Sequence, residues 1–354
     1  MGFTVQQHVW RSLGGTDAHP SLALSRAALL ALLVGFGALA LAGVSVPLEA
    51  QMVIYLVGMI ALNLPHGGYE HFENLRRRRP TFRWRYVGLY LLAIAGFVGL
   101  FLVAPVAGLA LALTVAMAKG GIGGLKVLDA TIGTDHITTR PQRWLAIAVR
   151  GGAVMLVPMV FHPETFYAFS ALMVGLVDPS ALPAYTSSTQ SILWLVFSGY
   201  LVGLLGHIGL GYARGGGRSW IIDAGESVLL VAFFAVVPVL VAVGLYFPFW
   251  YSARQVARTS SVTDEPVGDD EWDIVGADSV SAATIRAWGV MIVGALMTFT
   301  IVGLMYLIFP NPLGGATLLP GAVAFWSIFI SIIAFPHIVV GDLLDTDRGI
   351  WYVP

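Results

Sequence analysis

The chain has no cysteine and little charge. The absence of Cys among its 354 residues excludes disulfides, thiolate metal sites and cysteine nucleophiles. Charged residues make up only 11% of the chain, whereas a soluble domain carries about 25%. The formal net charge is −1, so the overall charge gives no indication of a nucleic-acid partner. A chain with so little charge is not expected to face water over its whole surface.

Hydrophobic residues are abundant instead. They make up 57% of the chain, and its mean hydropathy is +0.80. A spanning helix needs about 20 mostly apolar residues, and such runs are predicted at 27–47, 52–66, 87–105, 106–126, 144–162, 190–212, 219–240, 284–309 and 317–341. The runs lack the alternation of a barrel strand, and open sheet edges are excluded in lipid. The sequence therefore predicts an all-α, polytopic transmembrane helical bundle of about eight to ten spans.

Two shorter apolar pieces, 163–177 and 239–258, are predicted to be spans, re-entrant segments or interfacial helices. The domain organisation predicted is a polar N-terminal segment at 1–26 and a single transmembrane domain at 27–354. Within that domain an acidic loop is predicted at 259–283, and its like-charge block is interpreted as a solvated linker.

Basic residues predict the orientation of the chain. The run "RRRRPTFRWR" at 76–85 holds six arginines between the second and third predicted spans. Such loops favour the cytoplasmic side. We therefore expect a multi-pass protein of the cell membrane with a cytoplasmic N-terminus. The first apolar run is longer than a signal-peptide core, so no cleavable signal is predicted.

An ionisable group inside a span is a candidate functional residue because its burial is costly. His66 ends the second predicted span, and Pro65 with Gly67 and Gly68 loosens the helix around it. If the helix resumes, His66 and Glu70 share a face, and they could bind a metal or form an outer-shell pair. The alternative is a helix-end histidine bonded to a freed carbonyl.

Two acidic residues stand in another apolar run. Asp223 and Glu226 are three residues apart and share roughly one helix face. The favoured interpretation is a charge pair near a helix N-terminus, which the helix dipole stabilises. The alternative is that they face a polar cavity. His207 and His337 are lone histidines in apolar helices, and each is interpreted as a satisfied interior residue.

No nucleophilic triad or nucleotide-binding fingerprint is present. The run "GGIGG" at 120–124 lacks the strand context that a dinucleotide-binding loop requires. In a helical bundle, such glycines are typical of positions where two helices approach closely. We therefore expect a helix crossing at this run.

Four stretches together resemble one family, the Brp/Blh family of membrane-embedded β-carotene 15,15′-dioxygenases, which includes bacterio-opsin-related proteins of halophilic archaea. The stretches are "LPHGGYEH" (64–71), "RGGAVMLVPMVFHPE" (150–164), "DAGESVLLVAFFAVVPVLVAVGLYFPFWYSARQVAR" (223–258) and "FPHIVVGD" (335–342). The resemblance covers most of the chain from about residue 50. It implies a helical bundle in which histidines hold Fe(II), and a reaction that splits β-carotene with O₂ into two molecules of retinal.

The resemblance also implies positions for the iron ligands. His66 matches the first family histidine, in a "PHG" motif, and Gly124 falls on the second. The third and fourth lie four residues apart in the family pattern "WHSxRH", which turns two imidazoles toward one metal. Here the stretch reads "WYSARQ", with Tyr251 and Gln255 at those positions. Three of the four expected ligands are therefore replaced.

Other donors are candidates for a rebuilt site. A tyrosine phenolate can ligate iron, and hard oxygen donors would change the preferred metal. The candidate substitutes are Glu70, His71 and His337 beside His66 and Tyr251.

Three functional hypotheses follow. The first is a carotenoid dioxygenase with an altered iron site, which requires β-carotene and O₂ and releases retinal. The second is a non-catalytic carotenoid- or retinal-binding accessory protein that has lost the iron site and works with an opsin or a paralogous dioxygenase. The third is a proton-coupled transporter that uses His66, Asp223 and Glu226, which the resemblance disfavours.

Overall fold

The structure is a computed structural model and describes residues 20–62, 80–183, 186–262, 296 and 298–343. Helices make up nearly all of this part, and it contains no strand. Seven of the helices are long and apolar enough to cross a membrane, and two shorter apolar helices accompany them. The predicted polytopic helical membrane bundle is confirmed.

The described helices are numbered in chain order: α1 (Pro20–Leu41), α2 (Leu48–Leu56), α3 (Pro80–Val103), α4 (Pro105–Thr131), α5 (Arg140–Phe161), α6 (Pro163–Gly175), α7 (Ser187–Ala213), α8 (Gly217–Val236), α9 (Val239–Tyr246), α10 (Ala253–Val262), α11 (Thr298–Ile308) and α12 (Leu318–Pro336).

Several predicted boundaries move. The first span begins at Pro20 rather than at 27, because α1 takes in part of the predicted polar segment. Within the described residues, the second predicted span, 52–66, corresponds to the short helix α2 and the wider turn that follows it, and 63–66 lie outside them. Helix α6 has 13 residues, too few to span. Helix α10 runs through 259–262, the first residues of the predicted acidic loop, and 263–283 lies outside the described residues.

Three wider π-helical turns occur in the described chain, at Val57–Leu62, Phe247–Ser252 and His337–Leu343. The second contains Pro248, and the third directly follows Pro336. Proline lacks the N–H of a regular helical turn and clashes with the preceding carbonyl, and π-turns recur at functional sites. The second turn carries Tyr251 and the third carries His337, so both interrupt helices at candidate site residues.

Helices α4 and α5 cross at glycines. A methyl group on Gly121 would lie against the carbonyl oxygen of Ile147, and one on Gly151 would lie against that of Met117. Only glycine allows the two backbones this close. The crossing expected at 120–124 is confirmed, and it brings α4 alongside Arg150 on α5.

Candidate functional site

Asp223 is the centre of a polar network inside the bundle. Its Oδ1 accepts hydrogen bonds from Nε and Nη2 of Arg150 at 3.0 and 2.5 Å. Its Oδ2 lies 2.9 Å from Nε2 of His136 and 3.0 Å from Nε2 of His207. Each of these side chains is 3% exposed or less. The carboxylate therefore joins α5, α7, α8 and the α4–α5 connection.

Glu226, one turn further along α8, gathers three guanidinium groups. Arg254 binds it in a two-pronged manner, with Nη1 to Oε1 at 2.7 Å and Nη2 to Oε2 at 2.8 Å. Arg26 donates from Nε and Nη2 to Oε1 at 2.9 and 2.8 Å. Arg150 also reaches Oε2 at 3.1 Å, which connects the two carboxylates. Bidentate pairs between a guanidinium and a carboxylate are among the strongest charge-assisted hydrogen bonds.

The placement of Asp223 and Glu226 corrects the favoured sequence interpretation. Helix α8 begins at Gly217, and no acidic residue lies in its first turn. Both carboxylates are buried, at 1% and 3% exposure, so their partners are arginines rather than the helix dipole. The helix-terminus interpretation was wrong because neighbouring helices supply the cations. For His207, by contrast, the interpretation as a satisfied interior histidine is confirmed.

Hydrogen bonds hold the α4–α5 connection in a position where His136 contacts Asp223. Arg143 binds both carboxylate oxygens of Asp129 at 2.9 and 2.5 Å. Gln142 donates from Nε2 to the carbonyl oxygen of His136 at 3.2 Å, and Nδ1 of the imidazole lies 3.2 Å from Ser219 Oγ. The sequence analysis did not identify His136, because the residue lies in a polar connection rather than in a span.

Arg26, Arg150 and Arg254 were also missed as site residues. Arg254 is 1% exposed, and its guanidinium stacks 4.4 Å from the centroid of the Trp250 ring. A usable signal did exist in the sequence. Two carboxylates inside an apolar run require buried cationic partners, and Arg150 stands in an apolar run where it can supply one.

Three of the four family ligand positions come together beside the glycine run of α4. A methyl group on Gly123 would lie 2.5 Å from Cε2 of the Tyr251 ring and 3.1 Å from Nε2 of Gln255. The Gln255 amide donates to the carbonyl oxygen of Gly123 at 3.4 Å. A methyl group on Gly124 would instead meet Arg150, with Cδ and Nη1 both at 3.5 Å.

The other predicted site residues are placed elsewhere or not described. The ring of His337 packs edge-on against Tyr90, with 5.5 Å between the centroids. His66, Glu70 and His71 lie outside the described residues. Their proposed roles stay predictions.

The described donors do not fit Fe(II). Gly124 has no side chain to offer, and Oε1 of Gln255 lies 3.3 Å from a donor of Arg258. Two cations stand close by: the ammonium of Lys119 is 5.2 Å from the centroid of the Tyr251 ring, and Arg150 faces Gly124. No group of three or more His, Cys, Asp or Glu residues suited to a metal occurs in the described part of the chain. Imidazole-rich sites suit iron, but the two described imidazoles that meet, those of His136 and His207, are both bonded to Asp223, whose other oxygen is bound by Arg150.

Comparison with known proteins decides the family. The model of the family "Beta-carotene 15,15′-dioxygenase" matches residues 57–345, which include all three π-helical turns and both buried carboxylates of α8. The chain belongs to the β-carotene 15,15′-dioxygenase family. The match extends over the stretches that carry the sequence resemblance, so the recognition of the Brp/Blh family is confirmed.

Two kinds of relative in this family are known from Halobacterium salinarum. The chain is 54% identical over 338 residues to the protein named "Probable beta-carotene 15,15′-dioxygenase Brp" in strains R1 and NRC-1, covering 94% of either chain. It is 29% identical over 354 residues to "Probable beta-carotene 15,15′-dioxygenase Blh" of strain NRC-1, covering 95% of either chain. No solved structure matches the chain.

Proposed function

We propose that this membrane protein acts in the cleavage of β-carotene by O₂ to retinal. The observation that carries the proposal is the 54% identity, over 94% of both chains, to a relative named as a β-carotene 15,15′-dioxygenase. In this reaction the central double bond of β-carotene breaks, and each half receives one oxygen atom as an aldehyde. Both oxygen atoms of O₂ and all carbon atoms are then accounted for in two molecules of retinal.

An apolar bundle suits such a substrate. β-Carotene is a hydrocarbon that is insoluble in water, and it can enter a membrane protein from the lipid. A connected row of buried rings borders the glycine run: Phe234 lies 5.3 Å from Tyr246, Tyr246 lies 5.3 Å from Phe247, and Phe247 lies 6.0 Å from Tyr251. Such a row can pack along a polyene through dispersion contacts.

Family membership implies a cofactor, and Fe(II) is the metal that the resemblance implies. The described residues at the family ligand positions do not fit it, because they are Gly124, Tyr251 and Gln255. No step is therefore assigned to iron. The contribution that this chain's own residues can make is to exclude water and to hold the polyene beside the donors of Arg150.

The second candidate function is a carotenoid- or retinal-binding accessory protein. The observation that favours it is the same loss of ligands, with Lys119 and Arg150 beside the positions that a dication would need. In this case a paralogous dioxygenase performs the cleavage, and this chain delivers the substrate or receives the retinal for an opsin. For either function we propose a location in the cell membrane with a cytoplasmic N-terminus, which the arginine-rich run at 76–85 supports.

The deciding experiment expresses only this chain in cells that accumulate β-carotene. Retinal is quantified in extracts, and iron is measured in the purified, folded protein. Retinal together with stoichiometric iron supports cleavage by this chain, and His66→Ala is then expected to abolish both. A folded protein with neither retinal nor iron supports the accessory function and overturns cleavage.

A variant that restores the family pattern sharpens the result. Gly124→His, Tyr251→His and Gln255→His together place imidazoles at the three replaced positions. If the bundle is an intact scaffold, the triple variant binds iron and its retinal yield rises at least tenfold over the unmodified chain. Tyr306→His is the control, because Tyr306 is 48% exposed on α11 and packs against Phe325, away from these positions.

A further inference from the structure

The guanidinium of Arg150 has one end without an acceptor. Its Nε and Nη2 donate to the two carboxylates, whereas Nη1 is buried and has no hydrogen-bond partner within the described residues. The whole residue is 1% exposed. A buried donor without an acceptor is costly, and native structures rarely leave one. This atom therefore points to a ligand that carries an acceptor.

Gly124 is the described residue that faces this donor. Outside its own helix and its chain neighbours, a methyl group built on Gly124 would have only Cδ and Nη1 of Arg150 within 4 Å among the described residues, both at 3.5 Å. Elsewhere on the run the packing is tighter, as at Gly121 and Gly123. Nη1 is covered by protein, so a ligand oxygen that reaches the roughly 2.9 Å of an N–H···O hydrogen bond must displace neighbouring side chains at this point.

The charges of the network indicate the sign of the acceptor. Three guanidinium groups, of Arg26, Arg150 and Arg254, face two carboxylates, of Asp223 and Glu226. In the described part of the network this leaves one positive charge in excess when both histidines are neutral. An excess buried charge is unfavourable, so a partially negative oxygen is the preferred partner.

We propose that Nη1 of Arg150, over Gly124, binds the aldehyde oxygen of retinal. This inference rests on the proposed function. β-Carotene carries no hydrogen-bond acceptor, whereas cleavage leaves a carbonyl oxygen on each half at the former central bond. The site thus distinguishes the product from the substrate. The hydroxyl of Tyr246 lies one turn away on the same face of α4, 3.1 Å from the methyl position of Gly120, beside the row of aromatic rings.

The test measures binding of added ligands to the purified full-length chain in detergent, by quenching of tryptophan fluorescence. The two ligands are all-trans-retinal and anhydroretinol, a hydrocarbon polyene with no carbonyl group. We expect retinal to bind at least tenfold more tightly, as a hydrogen bond to a charged donor predicts. The carbonyl stretching frequency of bound retinal should also fall below its value in an apolar solvent.

Gly124→Ala isolates the site without breaking an ion pair. Its methyl group fills the space beside Nη1 at an ordinary contact distance of 3.5 Å, so the bundle is expected to fold. The preference for retinal over anhydroretinol should then disappear, and the carbonyl frequency should rise. Gly203→Ala is the matched control, because its methyl group meets only Cδ1 of Leu145, at 3.6 Å. It should keep the full preference.

Several outcomes would overturn the inference. Equal affinities for the two ligands in the unmodified chain would do so, as would a preference that persists in Gly124→Ala. Attachment of retinal to Lys119 or Lys126 that becomes permanent on borohydride reduction would also count against it. Such attachment shows an imine, and the carbonyl oxygen leaves as water when an imine forms. Retinal is supplied from outside, so a retained preference without retinal formation in cells overturns the proposed cleavage alone. Retinal formation without a preference overturns the aldehyde site alone.

Discussion

Two buried regions of the bundle meet at Arg150 and differ in what they keep. On α8, Asp223 and Glu226 are tied to arginines from three neighbouring helices and to two histidines. Beside the glycine run of α4, three of the four positions that the family resemblance assigns to iron ligands carry residues with no imidazole: Gly124, Tyr251 and Gln255. The comparison teaches that the polar framework of the bundle does not depend on a metal to balance its charges.

The difference has a physical reason. A buried carboxylate that loses its cation leaves an uncompensated charge, which costs about 3–5 kcal/mol. A metal ligand replaced by Tyr or Gln removes the metal's charge together with the ligand, so no charged group is left behind. The fold therefore tolerates replacement of the ligand residues beside α4, whereas it does not tolerate replacement of a single charged residue in the α8 network.

Breaking the α8 network should have the largest effect. Glu226→Gln keeps the shape of the side chain but leaves Arg26, Arg150 and Arg254 facing only Asp223. We expect a loss of about 3–5 kcal/mol, seen as aggregation or a much lower unfolding temperature in detergent. Asp178→Asn is the control, because Asp178 is exposed and bonds only locally to Ser180. An unfolding temperature equal to that of the control would contradict this account.

Widening the α4–α5 crossing should have an intermediate effect. In Gly121→Ala the new methyl group is forced against the backbone of Ile147, and the two helices must move apart. Overpacking of this kind costs about 1–3 kcal/mol. The measurement is the unfolding temperature, compared with Gly206→Ala, whose methyl group meets nothing within 4 Å. Equal stability of the two variants would show that the crossing is looser than described.

The smallest effect is expected at a family ligand position. Gln255→Met keeps the volume and removes two long hydrogen bonds, one of 3.4 Å to the carbonyl oxygen of Gly123 and one of 3.3 Å from Arg258. We expect a change of less than about 1.5 kcal/mol in the free energy of unfolding. A loss as large as that of Glu226→Gln would mean that this face supports the fold as strongly as the α8 network, and the comparison would fail.

Sequence reasoning was strongest where a pattern is local. Long apolar runs predicted the spans, because every backbone group in lipid must be satisfied within a helix. The run 120–124 predicted a close helix crossing, since only small residues allow it. The boundaries were less accurate: the first predicted span was expected at 27, but helix α1 begins at Pro20.

The partners of the buried charges were beyond a single sequence. Asp223 and Arg150 are 73 residues apart, and Glu226 and Arg26 are 200 apart. Spacing along one helix correctly put the two carboxylates on one face, but it could not show which cations the other helices bring to that face. The favoured helix-terminus interpretation failed for this reason.

The sequence by itself determined the class of the protein, the approximate position of its spans and its family, because hydropathy and motif order are written along the chain. It also determined that Gly124, Tyr251 and Gln255 stand where the family resemblance expects imidazoles. Only the tertiary structure decided that Tyr251 and Gln255 pack against Gly123, next to Gly124, and that Arg150 faces Gly124 with a donor that has no partner among the described residues. Packing of helices distant in sequence sets those distances, and no local pattern encodes them.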